Sequence, residues 1–300
     1  MTQRTARRPA AILAAGVAAA LSIGCAGAAW PAARAIDSRP EGGIAVIGDF
    51  GTGTPAANRV ADLVHAQDPI AVVTVGDNVY GAIGYPRAIA PYCRYLSSAP
   101  PWSQCPASPM PSVNRFFPAA GNHDYSDGGI TAFQDMFVAA RSRTWYSVVL
   151  DGIEFLVLDS QAALDDPASM AAQRGWAQRR ARESRADWQV VVLHHPPYSS
   201  STVHGSTAAL QWPFTSWGVD LVLAGHDHGY ERLQRWGLTY VVNGASGAPL
   251  YRLGPRLLGS IASNDRVHGA LFLRVVGDQL LGEFRASTGQ RIDAFRLTRR

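Results

Sequence analysis

This chain contains no lysine; all 27 of its strongly basic side chains are arginine. That reads as genomic base composition rather than function. No basic run is long enough to track a phosphate backbone, so the formal charge of +4 does not argue for nucleic-acid binding. Residues 1–35 hold Arg4, Arg7, Arg8 and Arg34 and no acidic residue, and without them 23 basic side chains face 23 acidic ones. Cysteine is scarce, with only Cys25, Cys93 and Cys105. No base stands near Cys93 or Cys105 in sequence, so a cysteine nucleophile is not expected. Long apolar runs are also missing. The one from Ala10 to Ile23 is too short and too Ala-rich for a membrane anchor. There is no internal repeat and no sign of a second domain.

Arginines, then an apolar stretch, then small-residue cleavage sites at Ala26-Gly27-Ala28 or Ala33-Arg34-Ala35 read as a secretory signal peptide over residues 1–35. Arg7-Arg8 suggests a twin-arginine signal, although its surroundings match poorly. Cys25 hints at a lipoprotein signal, against which Ser22 stands where an aliphatic residue is expected. The reading is thus of a secreted or periplasmic protein: a linker over residues 36–43 and one domain over residues 44–300. In an exported chain, Cys93 and Cys105 are expected to pair as a disulfide.

Continuous β-branched runs mark buried strands at 44–47, 71–75, 145–150, 153–158, 189–193, 221–223 and 240–242. Helical spacing appears over 56–67 and 170–185, where Arg179, Arg180 and Arg182 are expected in solvent, and more weakly over 206–217. This alternation predicts an α/β fold with mostly parallel central strands. Residues 270–276, 280–285 and 292–297 read as an antiparallel meander completing a second sheet. Gly81–Pro118 carries seven prolines from Pro86 to Pro111 and reads as a long surface loop.

Five short motifs follow these strands: Gly48-Asp49-Phe50-Gly51, Gly76-Asp77-Asn78-Val79-Tyr80, Gly121-Asn122-His123-Asp124, Leu193-His194-His195-Pro196-Pro197-Tyr198 and Gly225-His226-Asp227-His228. Ligands in open α/β sheets bind at the carboxyl ends of strands, so the five loops can converge. They supply Asp49, Asp77, Tyr80, Asn122, His194, His226 and His228, oxygen and nitrogen donors without sulfur. Such a set suits two adjacent Fe, Mn or Zn ions. Six of the eight histidines lie within or just beyond the motifs, while His65 and His268 read as structural.

On these motifs the chain resembles the purple acid phosphatase branch of the calcineurin-like metallophosphoesterases, closest to the small tartrate-resistant type. The resemblance runs from about Ile44 to Tyr251. It implies a four-layer α/β/β/α sandwich with two mixed β-sheets. It implies Fe3+ held by Asp49, Asp77, Tyr80 and His228, and a divalent ion (Fe2+, Zn2+ or Mn2+) held by Asp77, Asn122, His194 and His226. Most of the wider superfamily has a histidine where Gly51 stands; here a tyrosine follows Asp77 by three residues instead, and a tyrosinate–Fe3+ pair would colour the protein. The implied activity is hydrolysis of phosphomonoesters, with His123 on a phosphate oxygen, Asp124 orienting its ring and His204 assisting phosphate binding or protonation of the leaving group. The alternatives are a phosphodiesterase with two divalent ions and a non-catalytic phosphate-binding protein.

Overall fold

The computed structural model describes residues 42–97 and 111–299. The expected signal peptide (1–35), Cys25 and Cys105 lie outside these. Among the described residues, thirteen strands build two mixed sheets. The first strands are β1 (Gly42–Ile47), β2 (Pro69–Thr74), β3 (Phe116–Pro118), β4 (Tyr146–Leu150), β5 (Ile153–Val157), β6 (Trp188–Val192) and β7 (Leu221–Ala224). They are followed by β8 (Tyr230–Arg235), β9 (Leu238–Asn243), β10 (Ser260–Asn264), β11 (Gly269–Val276), β12 (Gln279–Ala286) and β13 (Arg291–Thr298). One sheet runs β13-β12-β11-β1-β2-β3 and the other β10-β8-β9-β7-β6-β5-β4. β1, β2 and β3 are parallel, as are β5, β6, β7 and β9.

Side-chain alternation along a strand explains the layering. Ile44 and Val46 of β1 pack with Phe155 and Val157 of β5 and with Val190 and Val192 of β6, so this cluster fills the space between the sheets. Ala45 and Ile47 point the other way, onto Val60 and Val64 of helix α1 (Pro55–Ala66). On the far side, Leu156, Val191 and Val222 meet helices. Helices α2 (Gly84–Ile89), α3 (Asn122–Ser126) and α4 (Ile130–Met136) follow α1 in the chain; α5 (Ser160–Asp165), α6 (Pro167–Glu183) and α7 (Phe214–Trp217) come later. The result is the expected four-layer α/β/β/α sandwich.

The C-terminal meander forms as expected, antiparallel through β11, β12 and β13, and joins its sheet where β11 pairs antiparallel with β1. Several other expectations need correction. Residues 81–96 of the segment expected as a surface loop are not one, and residues 98–110 of it lie outside the described residues. The former fold into α2 and a 3-10 helix over Ala90–Tyr95, and bury Tyr85, Ile89, Tyr92 and Tyr95 against α1 and Phe116. Cys93 is buried there and disulfide-bonded. Of the helix expected over 206–217, only a 3-10 turn at Ala208–Leu210 and α7 form. Arg180 is not simply solvated, because its Nε lies 2.5 Å from the buried carboxylate of Glu154. Among the described residues no helix is long and apolar enough to cross a membrane.

Candidate metal centre

Each site loop leaves the carboxyl end of a parallel strand. Asp49 follows β1, Asp77 follows β2, Asn122 opens α3 just after β3, His194 follows β6, and His226 and His228 follow β7. Asp49, Asp77 and His226 take left-handed φ values of 56°, 54° and 69°. Such a backbone costs about 1–3 kcal/mol per residue and persists only where the surroundings enforce it. The turns are also closely packed. A Cβ at Gly121 would stand 2.2 Å from Asp77 Oδ1. A Cβ at Gly51 would stand 2.2 Å from the carbonyl carbon of Asn78. Position 51 therefore has no room for a histidine side chain, and the Tyr80 backbone N–H donates to the Gly51 carbonyl (3.0 Å).

Two clusters result. In the first, donor atoms of Asp49, Asp77 and His228 all lie within 4.8 Å of one another. The Tyr80 hydroxyl sits among them, donating to Asp77 Oδ2 (2.8 Å) and lying 3.2 Å from Asp49 Oδ1 and 3.1 Å from His228 Nε2. In the second, His194 Nε2 is 3.0 Å from Asn122 Oδ1, 3.2 Å from His226 Nδ1 and 3.3 Å from Asp77 Oδ1. Asp77 touches both. The outer ring nitrogens are fixed by carbonyls: His194 Nδ1 on Val75 (2.9 Å) and His228 Nδ1 on Pro249 (2.8 Å). Bonds of this kind orient metal-binding imidazoles.

Asp49 and Asp77 are buried carboxylates, and no arginine pairs with either among the described residues. Buried charges are paired or coordinate metals, so a cation fits here. Burial opposes ionisation of Asp77, yet His194 and His123 outweigh it and hold the carboxyl well below its usual range. Burial likewise disfavours charge on His194, but Asp77 raises it to about 9. Burial and the neighbouring His194, His195 and His204 drive His226 far down, leaving a neutral imidazole with a free lone pair. For Tyr80, burial and the Asp49 and Asp77 carboxylates push the phenol well up. A bound cation inverts that logic, since it favours deprotonated ligands.

Comparison with known proteins decides the family. The calcineurin-like phosphoesterase family matches residues 43–230. This chain belongs to that family. Purple acid phosphatase 15 of Arabidopsis thaliana is 26% identical over 245 residues, covering 69% of this chain and 45% of its own length. Purple acid phosphatase 23 of the same plant is 26% identical, with 64% and 48% covered. The chain thus spans about half the length of these relatives. Among solved structures, the purple acid phosphatase PPD1 of yellow lupin superposes with a TM-score of 0.67 at 21% identity, over 85% of this chain and 53% of its own. GAP50, the anchor in the inner membrane complex of Plasmodium, gives 0.68 at 17% identity, over 86% and 88%. These superpositions establish the fold.

Around this candidate centre, three histidines approach the clusters. The His123 ring lies 4.2 Å from that of Tyr80, and its backbone N–H donates to Asp77 Oδ1 (3.0 Å). Its Nδ1 is held at 2.5 Å by Asp127, not by Asp124. The expectation that Asp124 orients the ring is therefore wrong. Asp124 is fully buried and accepts from Gly121 N (2.8 Å), Asn78 Nδ2 (2.9 Å) and Tyr85 Oη (2.9 Å), so it braces the turns that carry Asp77 and Asn122. His204 stacks on His226 at 3.9 Å. Its loop is held by Asp227, whose carboxylate accepts from His204 N (3.3 Å) and Gly205 N (3.2 Å). His195 sits behind the centre, 4.4 Å from the His226 ring with Nδ1 2.9 Å from Ser160 Oγ. Burial, with His194 beside it, lowers its pKa to about 3. His65, between Tyr92 and Tyr95, and His268, on the Ala248 carbonyl, lie apart from the clusters.

Asp127, Asp227 and Tyr251, which stacks on His228 at 4.0 Å, were not singled out from sequence. Asp127 had a local signal, four residues after His123 on one helical turn. Asp227 stood in plain view between two candidate ligands, but nothing local points from it to His204.

Proposed function

We propose that this protein hydrolyses phosphate monoesters at a two-metal centre of the purple acid phosphatase kind. The observation that carries the proposal is the Tyr80 hydroxyl, within 3.2 Å of Asp49, Asp77 and His228 together. A phenolate with two carboxylates is a hard, anionic donor set that favours a ferric ion. The softer set of Asn122, His194 and His226, joined through Asp77, suits a divalent ion. When bound, the two ions would orient the phosphate, neutralise its developing charge and lower the pKa of the attacking water. The chain's own side chains then divide the remaining work. Asp127 fixes His123 toward a phosphate oxygen. His204, stacked on His226, stands ready to bind phosphate or to deliver a proton to the departing alcohol. Export belongs to the same reading and rests on the arginine-flanked apolar stretch ahead of residue 36.

The test is a comparison of p-nitrophenyl phosphate with bis-p-nitrophenyl phosphate across pH 4–9, alongside the visible spectrum of the metal-loaded protein. The proposal expects faster monoester cleavage and a visible band that Tyr80→Phe removes. Faster diester cleavage without a band would replace it with a phosphodiesterase using two divalent ions. No cleavage with both metals bound would leave a phosphate-binding protein.

A further inference from the structure

We infer that the end of the strands remote from the metal clusters docks on a membrane surface rich in anionic phospholipid, through Trp236, Leu258 and Ile261 with Arg235 and Arg256. The inference goes beyond the proposed hydrolysis and does not depend on it. The two-residue turn Trp236-Gly237 joins β8 to β9, since Arg235 pairs with Leu238. Both turn residues are left-handed, with φ of 53° and 75°. Asparagine followed by glycine is the favoured pair in such a turn, and a bulky aromatic at its first position is strained. Packing does not offset that strain, because Trp236 is 79% exposed. Two more large apolar side chains stand beside it. Arg235 Nη1 donates to the Leu258 carbonyl (2.8 Å) and Gln234 N to the Gly259 carbonyl (2.8 Å), which lays the approach to β10 along the hairpin. Leu258 is 85% exposed and Ile261 49%.

Charge and shape choose the occupant. Residues 232–264 contain four arginines and no acidic residue. Arg232 is taken up by Asp293, while Asp220 and Arg296, which share a recess with Gln234 and Gly237, carry opposite charges. Arg235, 5.9 Å from the Trp236 ring, and the exposed Arg256 remain to meet an anion. Tryptophan and arginine at an apolar tip match the boundary between headgroups and acyl chains, where the indole sits at headgroup level and a guanidinium pairs with phosphate. A second copy of this chain fits less well. Stable dimers bury about 800 Å2 per partner, far more than three side chains at a turn provide. Strand pairing is also hindered, because the register of β10 shifts at Ile261 and such a bulge turns an edge away from a partner. The parallel pairing of Thr239 with Leu221 puts the turn at the amino ends of β7 and β9, whereas His226 and His228 follow the carboxyl end of β7. Docking there leaves the metal clusters facing away from the bilayer.

Co-sedimentation of the metal-loaded full chain with phosphatidylcholine vesicles, with and without phosphatidylglycerol, decides the matter, with p-nitrophenyl phosphate turnover recorded in parallel. We expect binding only where phosphatidylglycerol is present, weakened by salt. Trp236→Asn installs the favoured turn residue, so it should keep fold and turnover while lowering affinity roughly tenfold or more. Arg256→Gln should lower it about fivefold, the share of one arginine near an anionic surface. Brominated phosphatidylglycerol should quench a tryptophan signal that Trp236→Phe lacks. No binding to the phosphatidylglycerol vesicles would overturn the inference, as would equal affinity of Trp236→Asn or quenching of the same size in Trp236→Phe. A native dimer that Trp236→Asn converts to monomer, without vesicle binding, would give the patch to a second copy instead.

Discussion

Removing the carboxylate of Asp227 should detach His204 from the centre while leaving the protein folded. Asp227 is only 2% exposed and lies between His226 and His228, yet its carboxylate is directed away from both clusters to the 204–205 backbone. Gly205 has a φ of 73°, and the left-handed turn there presents two successive N–H groups to one carboxylate. The start of the same loop has its own anchor: buried Glu231 accepts from Ser200 N (2.7 Å) and Ser200 Oγ (2.6 Å). Asp227→Ala therefore frees one end of the loop and not the other. Hydrogen bonds to a charged acceptor contribute about 1.5–3 kcal/mol each, but the bonds here are long and the His204–Gly205 segment reaches solvent, where water replaces the lost acceptor; a total loss of about 2 kcal/mol follows. In a domain of this size that lowers Tm by about 4–8 °C.

The effect on activity should exceed the effect on folding. A group displaced by about 1 Å can cost on the order of 10²-fold in rate, and loss of a general acid about 10²–10⁴-fold. His204→Ala therefore sets the limit, and Asp227→Ala should fall between it and the native protein, with kcat more affected than KM. The decisive assay is the double-mutant cycle. If Asp227 acts through His204, the double variant is no slower than His204→Ala. A double variant slowed by the product of the two single effects would refute the argument. So would Asp227→Ala with native kcat.

Asn122→Ala and His226→Ala should each abolish monoester turnover, with far-ultraviolet circular dichroism retained; full activity in either would remove the second cluster from the proposal. Asp293→Ala tests the link between the sheets, because Asp293 on β13 accepts from Arg232 (2.7 and 3.0 Å) and Tyr230 (2.7 Å) on β8. Breaking this partly buried, hydrogen-bonded pair should destabilise the fold by about 1.5–3 kcal/mol in chemical denaturation, and a loss below about 0.5 kcal/mol would show that the two sheets do not depend on it. The pH dependence has a defined sign. Burial opposes ionisation of Asp293, but Arg232 and Tyr230 hold its pKa below the ordinary carboxylate value in the folded state. Its contribution is thus full above about pH 4 and is lost as pH falls further through the folded value; Asp293→Ala should flatten that part of the acid-unfolding profile.

What could be read in advance was whatever is encoded locally. Strands covered on both faces are continuous apolar runs, so β1, β2, β5, β6 and β7 were visible, and each candidate ligand lies within a few residues of such a strand or, for Asn122, of the short β3. In the segment after Tyr80 the prolines mask a helical periodicity. Tyr85, Ile89, Tyr92 and Leu96 recur at helical spacing, and Pro91 stands in the first turn of its helix, where its missing N–H does no harm. The strand Phe116–Pro118 is too short to announce itself, and only its parallel pairing with β2 makes it one. The contact of Asp227 with His204 joins residues 23 positions apart across a loop and has no periodic signature. Gly51 shows the same limit from the other side. As a letter it records only a missing histidine. In the fold it is the residue whose lack of a side chain lets the Asn78–Val79 backbone pass within contact distance, and that passage is what brings the Tyr80 hydroxyl onto Asp49, Asp77 and His228. The bare Gly51 and the placement of Tyr80 are one packing arrangement, so any side chain at 51 should displace the Tyr80 hydroxyl from the cluster.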